Sequence, residues 1–251
     1  RLAPYLAIIP SALAFLALPF GSTYVFRELD VALVFVLGIV GVEVIGVILA
    51  GWASNNKWSV YGAMREACQM VSYEIPMGMA LMVPVVVVGT LNLSKIGDAQ
   101  AGGWFSWLAF SNPFAFVAFI VYYIASLASC KRAPFDLPEA ESELVAGAYT
   151  EYAGMGFGVF FMAEYANILV GCSLATILFF GGWQSPIGIW SGLFWFLLKL
   201  YLLIFTVVWI RWTFPRTQFY RLLNLSWKIL IPISLATLVL TSAMLKLFRQ
   251  L

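Results

Sequence analysis

The sequence predicts an all-α polytopic membrane protein, and its composition, its hydropathy and the spacing of its apolar residues support that fold class. Hydrophobic residues make up 63% of the 251 residues and charged residues only 10%, whereas roughly a quarter of a soluble domain is charged. The mean hydropathy is +0.93. The apolar residues recur in runs of about 20, which is the length that a helix needs to cross a bilayer.

These apolar runs define the predicted elements. They do not alternate with polar residues, as the strands of a membrane β-barrel would, and they are not confined to the N-terminus, as a signal peptide would be. They show no internal repeat, so we expect one membrane domain over residues 1–251. The seven predicted transmembrane helices lie at about 2–19, 31–53, 70–91, 107–129, 154–181, 187–210 and 227–246.

The basic residues predict how these helices are oriented. The side of the N-terminus carries nine of them, namely Arg1, Lys57, Arg65, Lys131, Arg132, Arg211, Arg216, Arg221 and Lys228. The opposite side carries four, namely Arg27, Lys95, Lys246 and Arg249. The positive-inside rule places the first side in the cytoplasm, or in the matrix or stroma of an organelle. The polar connections at about 54–69, 130–153 and 211–226 lie on that side, so the function is expected to face inward, from a bacterial inner membrane.

Several kinds of site are excluded by residues that the sequence lacks. There is no His, so His-ligated haem and the usual zinc sites are not expected. Cys68, Cys130 and Cys172 are far apart and form no ligand motif for an iron–sulfur cluster or another metal. The net charge of +2 gives no electrostatic support for a nucleic-acid partner. Redox chemistry must therefore reside on another chain or on a diffusible ligand.

Four charged residues fall well inside the predicted helices, away from their ends, where a charge is costly and is a candidate for function. They are Glu43, Glu74, Glu164 and Lys199. In a structural interpretation, Lys199 pairs with one acid and the other acids bind backbone or water. In a functional one, the excess of acid over base forms a proton relay, since acids in a low dielectric can hold protons near neutral pH. Glu74 and Glu164 are the stronger candidates, and Glu43 the weaker.

Five acids are concentrated in and just after the stretch "RAPFDLPEAESELVAG", in a chain that has only twelve. They are Asp136, Glu139, Glu141, Glu143 and Glu151. Read as a helix, 139–151 places Glu139, Glu143 and Glu151 on one face. A solvated acidic loop is the simple alternative. The apolar segment "LVAGAY" and the stiffening prolines Pro134 and Pro138 favour a segment that folds back and lines a cavity.

At this point the residues resemble a known family. The stretch "RAPFDLPEAESELVAGAYTEYAGMGFGVFFMAEYAN", together with "GWASNNKWSVYGAMREACQMVSYEIPMGMAL", "LFFGGW" and "RWTFPR", is similar to the quinone-site membrane subunits of respiratory complex I, the H subunits of bacterial NADH-quinone oxidoreductases and their mitochondrial counterparts. The resemblance runs from about residue 1 to 246. It implies eight transmembrane helices, the first of which is expected before Arg1.

The resemblance also implies a function and a set of partners. Family members are non-redox subunits that form a quinone chamber with hydrophilic subunits of the peripheral arm. Iron–sulfur clusters and flavin are held by those partners, and no metal or flavin is expected on this chain. Small membrane subunits, antiporter-like subunits and lipid surround the family members in the membrane. An acid-lined path leads from the chamber toward the proton-pumping subunits, so quinone reduction is expected to drive proton translocation.

Site residues are carried over by motif. The coupling acids would be Glu74, Asp136, Glu139, Glu141, Glu143, Glu151 and Glu164, with Arg65 and Arg132 as basic neighbours and Glu43 and Lys199 as supporting residues. Phe157, Phe161 and Met162 match apolar residues of the chamber, which suits an isoprenoid tail. One departure concerns Ser129, where many members have Glu; Glu43 or Glu66 is the expected substitute.

Other functions stay open at the level of sequence. The same scaffold occurs as the anchor subunit of a membrane-bound hydrogenase or formate hydrogenlyase, and in ferredoxin-linked relatives. A stand-alone ion transporter with Glu74, Glu164 and Lys199 as its substrate site is a different class, although the sequence lacks the inverted repeat of many transporters. A purely structural anchor is a further alternative.

Overall fold

The computed structural model of the chain describes residues 2–22, 24–137, 147–187 and 192–250. All regular secondary structure in these residues is helical. The α-helices are α1 (Ala3–Ala14), α2 (Ala32–Ala53), α3 (Lys57–Val88), α4 (Leu93–Asp98), α5 (Leu108–Ser111), α6 (Pro113–Ser129), α7 (Met155–Phe179), α8 (Leu193–Thr213), α9 (Phe219–Leu225) and α10 (Ile231–Gln250). Short 3₁₀ turns follow α1 and precede α5 and α7, and a π-helical segment at Ser226–Leu230 joins α9 to α10.

Each of the seven predicted transmembrane stretches corresponds to an apolar helix. Among the described residues, five helical segments are long and apolar enough to cross a membrane, and two shorter apolar helices accompany them. The shorter ones, Ala3–Ala17 and Pro113–Ser129, match the predictions at 2–19 and 107–129. The predicted fold class, an all-α polytopic membrane protein, is confirmed.

The prediction of a polar connection at 54–69 is wrong, because α3 begins at Lys57. The side chain of Asn56 caps the helix by accepting a hydrogen bond from the Trp58 amide at 3.1 Å. With 32 residues, α3 is about 48 Å long, whereas the hydrocarbon core is about 30 Å thick. Hydropathy detects only the apolar part of such a helix. Its polar first turns contain good helix formers, such as Ala, Met, Arg and Glu.

The predicted connection at 211–226 is also partly helical. α8 continues to Thr213, α9 begins at Phe219, and only 214–218 lie between them. The following π-helical segment lies against α3, where Ser226 donates a hydrogen bond to the carbonyl of Ser72. Tyr73 Oη donates to the carbonyl of Leu222 at 2.8 Å. These two hydrogen bonds attach the segment before α10 to α3.

The core of the bundle lies between α2, α3, α6 and α7, and small residues allow these helices to approach closely. α1 packs on α2 and α7, and a Cβ on Gly46 of α2 would lie 3.0 Å from the backbone nitrogen of Ala7. α10 packs on α3 and α6, and α8 packs on α7. Successive spans run in opposite directions, so residues 54–56, 130–137, 147–154 and 214–218 share one end of the bundle, which we call the basic side.

Candidate functional site

Five charged side chains from four parts of the chain are buried together near the basic side. They are Glu43 of α2, Glu66 of α3, Lys131 and Arg132 of the connection after α6, and Glu164 of α7. None of them is more than 7% exposed. Burying ions is costly unless they are paired, and we call this group the buried ion cluster.

Lys131 is the centre of one half of the cluster. Its ammonium lies 3.2 Å from Glu43 Oε1 and also contacts Glu66 Oε1. The backbone of Lys131 has a left-handed φ of 53°, which turns the chain at the end of α6 and directs the side chain back into the bundle. Burial alone lowers the pKa of Lys131, but the surrounding carboxylates, Glu66 foremost, outweigh burial and hold that pKa well above its usual range.

Arg132 forms the other half with Glu164. Its guanidinium lies 2.9 Å from Glu164 Oε2 and sits over the rings of Phe161 and Tyr165, at 5.1 and 4.6 Å from their centroids. Asn167, three residues after Glu164 on α7, donates a hydrogen bond to Glu43 Oε2. Glu164 and Asn167 therefore share one face of α7, and this face joins the two ion pairs.

A tight backbone contact lies directly beside the cluster. The turn at Gly147–Tyr149 packs on α3, where a Cβ on Gly62 would lie only 2.6 Å from the backbone nitrogen of Ala148. Tyr149 is buried, and burial, reinforced by the charge of Glu66, raises the pKa of its phenol well above the usual range. The prediction of a folded-back segment that lines a cavity concerns the acidic stretch, most of which lies outside the described residues.

Ser129 lies in this part of the bundle, at a small cavity of about 30 Å³. The cavity is also lined by Tyr122, Ser126 and Asn167. The cavity is large enough to hold a water molecule. Ser129 Oγ lies 3.7 Å from Met70 Sδ. A small hydroxyl thus stands at the position where many members of the family have the carboxylate of a Glu. Glu43 and Glu66, the expected substitutes, both belong to the cluster.

Three of the sequence-predicted residues come together in this cluster, namely Glu43, Arg132 and Glu164. The ranking of Glu43 below Glu74 and Glu164 stays a prediction, although this residue contacts both Lys131 and Asn167. The ranking depends on helix register, and a single sequence does not reveal that the carboxylate faces the inside of the bundle.

Two predicted residues on α3 lie outside the cluster. Glu74 is half-buried, two turns beyond Glu66, and a Cβ on Gly41 of α2 would lie 3.1 Å from its Oε1. Arg65 is half-buried on another face of α3, with its guanidinium 5.8 Å from the ring of Phe219.

The acidic stretch is described only in part. Asp136 is half-buried, and its backbone carbonyl accepts a hydrogen bond from Arg216. Glu151 is exposed and accepts a hydrogen bond from Asn56 Nδ2 at 3.2 Å. The remaining predicted acids, Glu139, Glu141 and Glu143, lie outside the described residues.

The structural interpretation in which Lys199 pairs with an acid is wrong within the described part of the chain. Its ammonium donates hydrogen bonds to the backbone carbonyls of Phe180, Gly182 and Gln184, at 2.6, 3.0 and 2.6 Å. It also lies 4.0 Å from the centroid of the Trp107 ring. The carbonyls at a helix C-terminus lack partners within the helix and carry partial negative charge. Lys199 therefore binds the C-cap carbonyl of α7 and two carbonyls of the turn that follows, at the end opposite the basic side.

The predicted chamber residues lie near the start of α7. The rings of Phe157 and Phe161 are 4.6 Å apart, and Met162 is exposed. The ring of Phe161 also faces the guanidinium of Arg132, so an apolar surface adjoins the cluster. No group of three or more His, Cys, Asp or Glu side chains in the described ranges is placed to hold a metal ion.

Sequence reasoning misses the role of Lys131 and Asn167 in the cluster and treats Glu66 only as a substitute. In the sequence, Lys131 is one of several basic residues of a cytoplasmic connection. The sequence feature that could have indicated its role in the cluster is its position next to Arg132, immediately after an apolar helix. Asn167, one turn after an intramembrane Glu, is a second signal, because polar residues at that spacing share a helix face.

The fold and the cluster together define a polytopic membrane protein that holds ion pairs inside its helix bundle. The sequence profile of a family described as NADH dehydrogenase matches residues 1–242. The chain belongs to this family.

Its relatives include proteins named as the H subunit of NADH-quinone oxidoreductase. That of Desulfotalea psychrophila is 48% identical over 98% of this chain and 76% of its own length. Those of Chlorobaculum parvum and Bacteroides thetaiotaomicron are both 45% identical, over 95% and 96% of this chain and 71% and 70% of their own lengths.

Proposed function

We propose that this chain is a non-redox membrane subunit of a proton-translocating NADH:quinone oxidoreductase. The names of its relatives, at 45–48% identity over nearly the whole chain, support this assignment. Flavin and iron–sulfur clusters would be held by partner subunits of a peripheral arm, docked on the basic side. Small membrane subunits and antiporter-like subunits would flank the chain in a bacterial inner membrane. Its task would be to shape the quinone chamber and to couple quinone reduction to proton movement.

The observation that carries the mechanism is the continuity of the buried ion cluster. Lys131 links the carboxylates of α2 and α3, and Asn167 links Glu43 to the face of α7 that carries Glu164. A change of charge at one member therefore acts on the others through contacts in a low dielectric, where Coulomb interactions are strong. Such a set of acids titrates as a coupled unit.

The number of charges in the cluster indicates which groups exchange protons. Lys131 has a raised pKa and Arg132 is an arginine, so both cations stay charged at neutral pH. The three carboxylates exceed these two cations by one negative charge when all are ionised. Uptake of one proton would make the cluster neutral, which burial favours. The variable protons are therefore assigned to the carboxylates.

The apolar side of the site is assigned to the quinone. Phe157, Phe161 and Met162 offer a surface of the kind that an isoprenoid tail requires. Reduction of a quinone takes up two electrons and two protons, so the charge near the head group changes during turnover. Phe161 contacts both this surface and Arg132, which places Arg132 and its partner Glu164 next to the proposed chamber.

The alternative of a stand-alone transporter has less support. Its substrate site would combine Lys199 with Glu74 and Glu164. Lys199 is instead bound by backbone carbonyls that follow α7, whereas Glu164 pairs with Arg132 near the opposite end of the bundle. The alternative of a hydrogenase anchor finds no support among the relatives described above, which are named after quinone.

The proposal is tested by Glu43→Gln in the assembled complex. The amide keeps the shape of the side chain but removes the charge that Lys131 and Asn167 contact. We expect quinone-dependent NADH oxidation and proton uptake into inverted membrane vesicles to fall about 100-fold or more, the range of a lost proton-transfer group. NADH oxidation by ferricyanide, which takes electrons before the quinone site, should be unchanged.

Glu28→Gln is the matched control, because Glu28 is an exposed acid on the opposite side of the bundle. It should leave all three activities at the wild-type level. A Glu43→Gln complex that assembles and pumps normally would refute the role of the cluster.

A further inference from the structure

A groove between α7 and α8 opens on the outer surface of the described bundle. It has a volume of about 200 Å³, which suits a segment of one hydrocarbon chain. Its apolar wall is formed by Ile168 and Leu169 of α7 and by Ile204, Val207 and Val208 of α8. We call it the α7–α8 groove.

The groove has one charged end. Arg132 and Arg211 line it together with the apolar residues, and both lie toward the basic side. Arg211 is seven residues after Ile204 on α8, so the two are separated by roughly 10 Å along the helix axis. This distance is less than about 15 Å, which is half the thickness of the hydrocarbon core. The groove thus runs from near mid-membrane to the level of the head groups on the basic side.

The two arginines differ in what they already contact. Arg132 is buried and its charge is matched by Glu164 at 2.9 Å. Arg211 is exposed, and it makes no ion pair with any residue in the described part of the chain. The charged end therefore has one positive charge that the described residues do not neutralise.

We propose that the α7–α8 groove binds one anionic phospholipid from the leaflet on the basic side. The phosphodiester contacts the guanidinium of Arg211, and one acyl chain lies along Leu169, Ile204 and Val208. Basic pockets between transmembrane helices on the cytoplasmic side commonly bind anionic head groups. A guanidinium recognises a phosphate through paired hydrogen bonds. An isoprenoid tail is uncharged, and its affinity for the groove would not depend on Arg211.

The site also adjoins the buried ion cluster. Tyr165 lines the groove and faces the guanidinium of Arg132, so the bound lipid covers the outer side of the Arg132–Glu164 pair. It thereby excludes water from that pair on the membrane-facing side. The proposal itself does not rest on the proposed function, because lipid binding can be counted without measuring quinone reduction.

The test uses the purified complex that contains this subunit. The complex is equilibrated with equal amounts of phosphatidylglycerol and phosphatidylcholine, and bound lipids are counted by native mass spectrometry. Arg211→Gln should reduce retained phosphatidylglycerol at this site about five-fold, the effect of one arginine near an anionic head group. Val208→Trp, which fills the apolar wall, should reduce it as well. The control Arg221→Gln removes an exposed charge on the basic side outside the groove and should have no effect.

Three results would overturn the proposal. The first is equal retention of phosphatidylglycerol in wild type, Arg211→Gln and Val208→Trp. The second is no preference of the wild-type site for phosphatidylglycerol over phosphatidylcholine. The third is loss of bound quinone, measured in the same samples, with no loss of lipid, which would assign the groove to the isoprenoid tail. None of these results bears on whether Glu43→Gln reduces proton uptake.

Discussion

Two buried lysines in this bundle have different kinds of partner. Lys131, near the basic side, contacts the carboxylates of Glu43 and Glu66. Lys199, near the opposite end, contacts three backbone carbonyls and the ring of Trp107. Carbonyls and indole rings cannot take up protons, whereas carboxylates can. The comparison shows that the partners of Lys131 can change their charge during function, whereas the partners of Lys199 cannot.

The largest effect is expected from Lys131→Met. Removal of the cation leaves two buried carboxylates without the charge they share, and breaking a buried pair in this way costs about 3–5 kcal/mol. We expect a large fall in the amount of assembled complex and in its thermal midpoint, together with loss of quinone reductase activity. Adding Glu66→Gln should restore part of the assembly, because it removes one of the uncompensated charges. A single variant as stable as wild type would contradict the ion-pair description.

A smaller effect is expected from Lys199→Met. The three carbonyls after α7 lose their hydrogen-bond donor, and an unsatisfied buried polar group costs about 1–3 kcal/mol. The thermal midpoint of the complex should fall, but the number of protons moved per NADH should stay at the wild-type value in the complex that assembles. A changed ratio, measured with a pH-sensitive dye in vesicles, would show that Lys199 takes part in proton movement.

The smallest effect is expected from alkaline pH. Glu66 and the other carboxylates outweigh burial and raise the pKa of Lys131 in the folded protein above its unfolded value of about 10.4. Since the folded pKa is the higher one, this stabilisation is complete below about pH 10.4 and is lost only as the pH rises through the folded pKa. Between about pH 7 and pH 9, the thermal midpoints of wild type and of Lys131→Met/Glu66→Gln should therefore change in parallel. A steeper decline of the wild type would count against the raised pKa.

The fold could be predicted because each apolar span carries its own signal. A helix that crosses lipid must be apolar for about 20 residues, and each of the seven such stretches contains one of the described helices. The start of α3 at Lys57 could not be predicted in this way. Outside the lipid a helix is stabilised by its caps and by packing, here the cap at Asn56 and the contact at Gly62. Neither the cap nor the contact can be detected in a hydropathy profile.

The site could be predicted only as separate residues. Glu43 and Glu164 stand out because charges inside apolar helices are rare, and the family resemblance adds Arg132. Their partners depend on which faces of α2, α3 and α7 meet, and on the left-handed turn at Lys131. A single sequence does not reveal which helix faces pack against each other. Lys199 illustrates the same limit, since nothing in the chain indicates that its partners are backbone atoms.

The contact at Gly62 has a mechanical consequence. Because the turn at Gly147–Tyr149 touches α3 backbone to backbone, the turn cannot move toward the helix unless the helix moves too. Glu66 lies one turn further along α3 and Glu74 two turns beyond it. A displacement of the turn toward α3 would therefore reach the helix at Gly62, on the same helix that carries these two carboxylates.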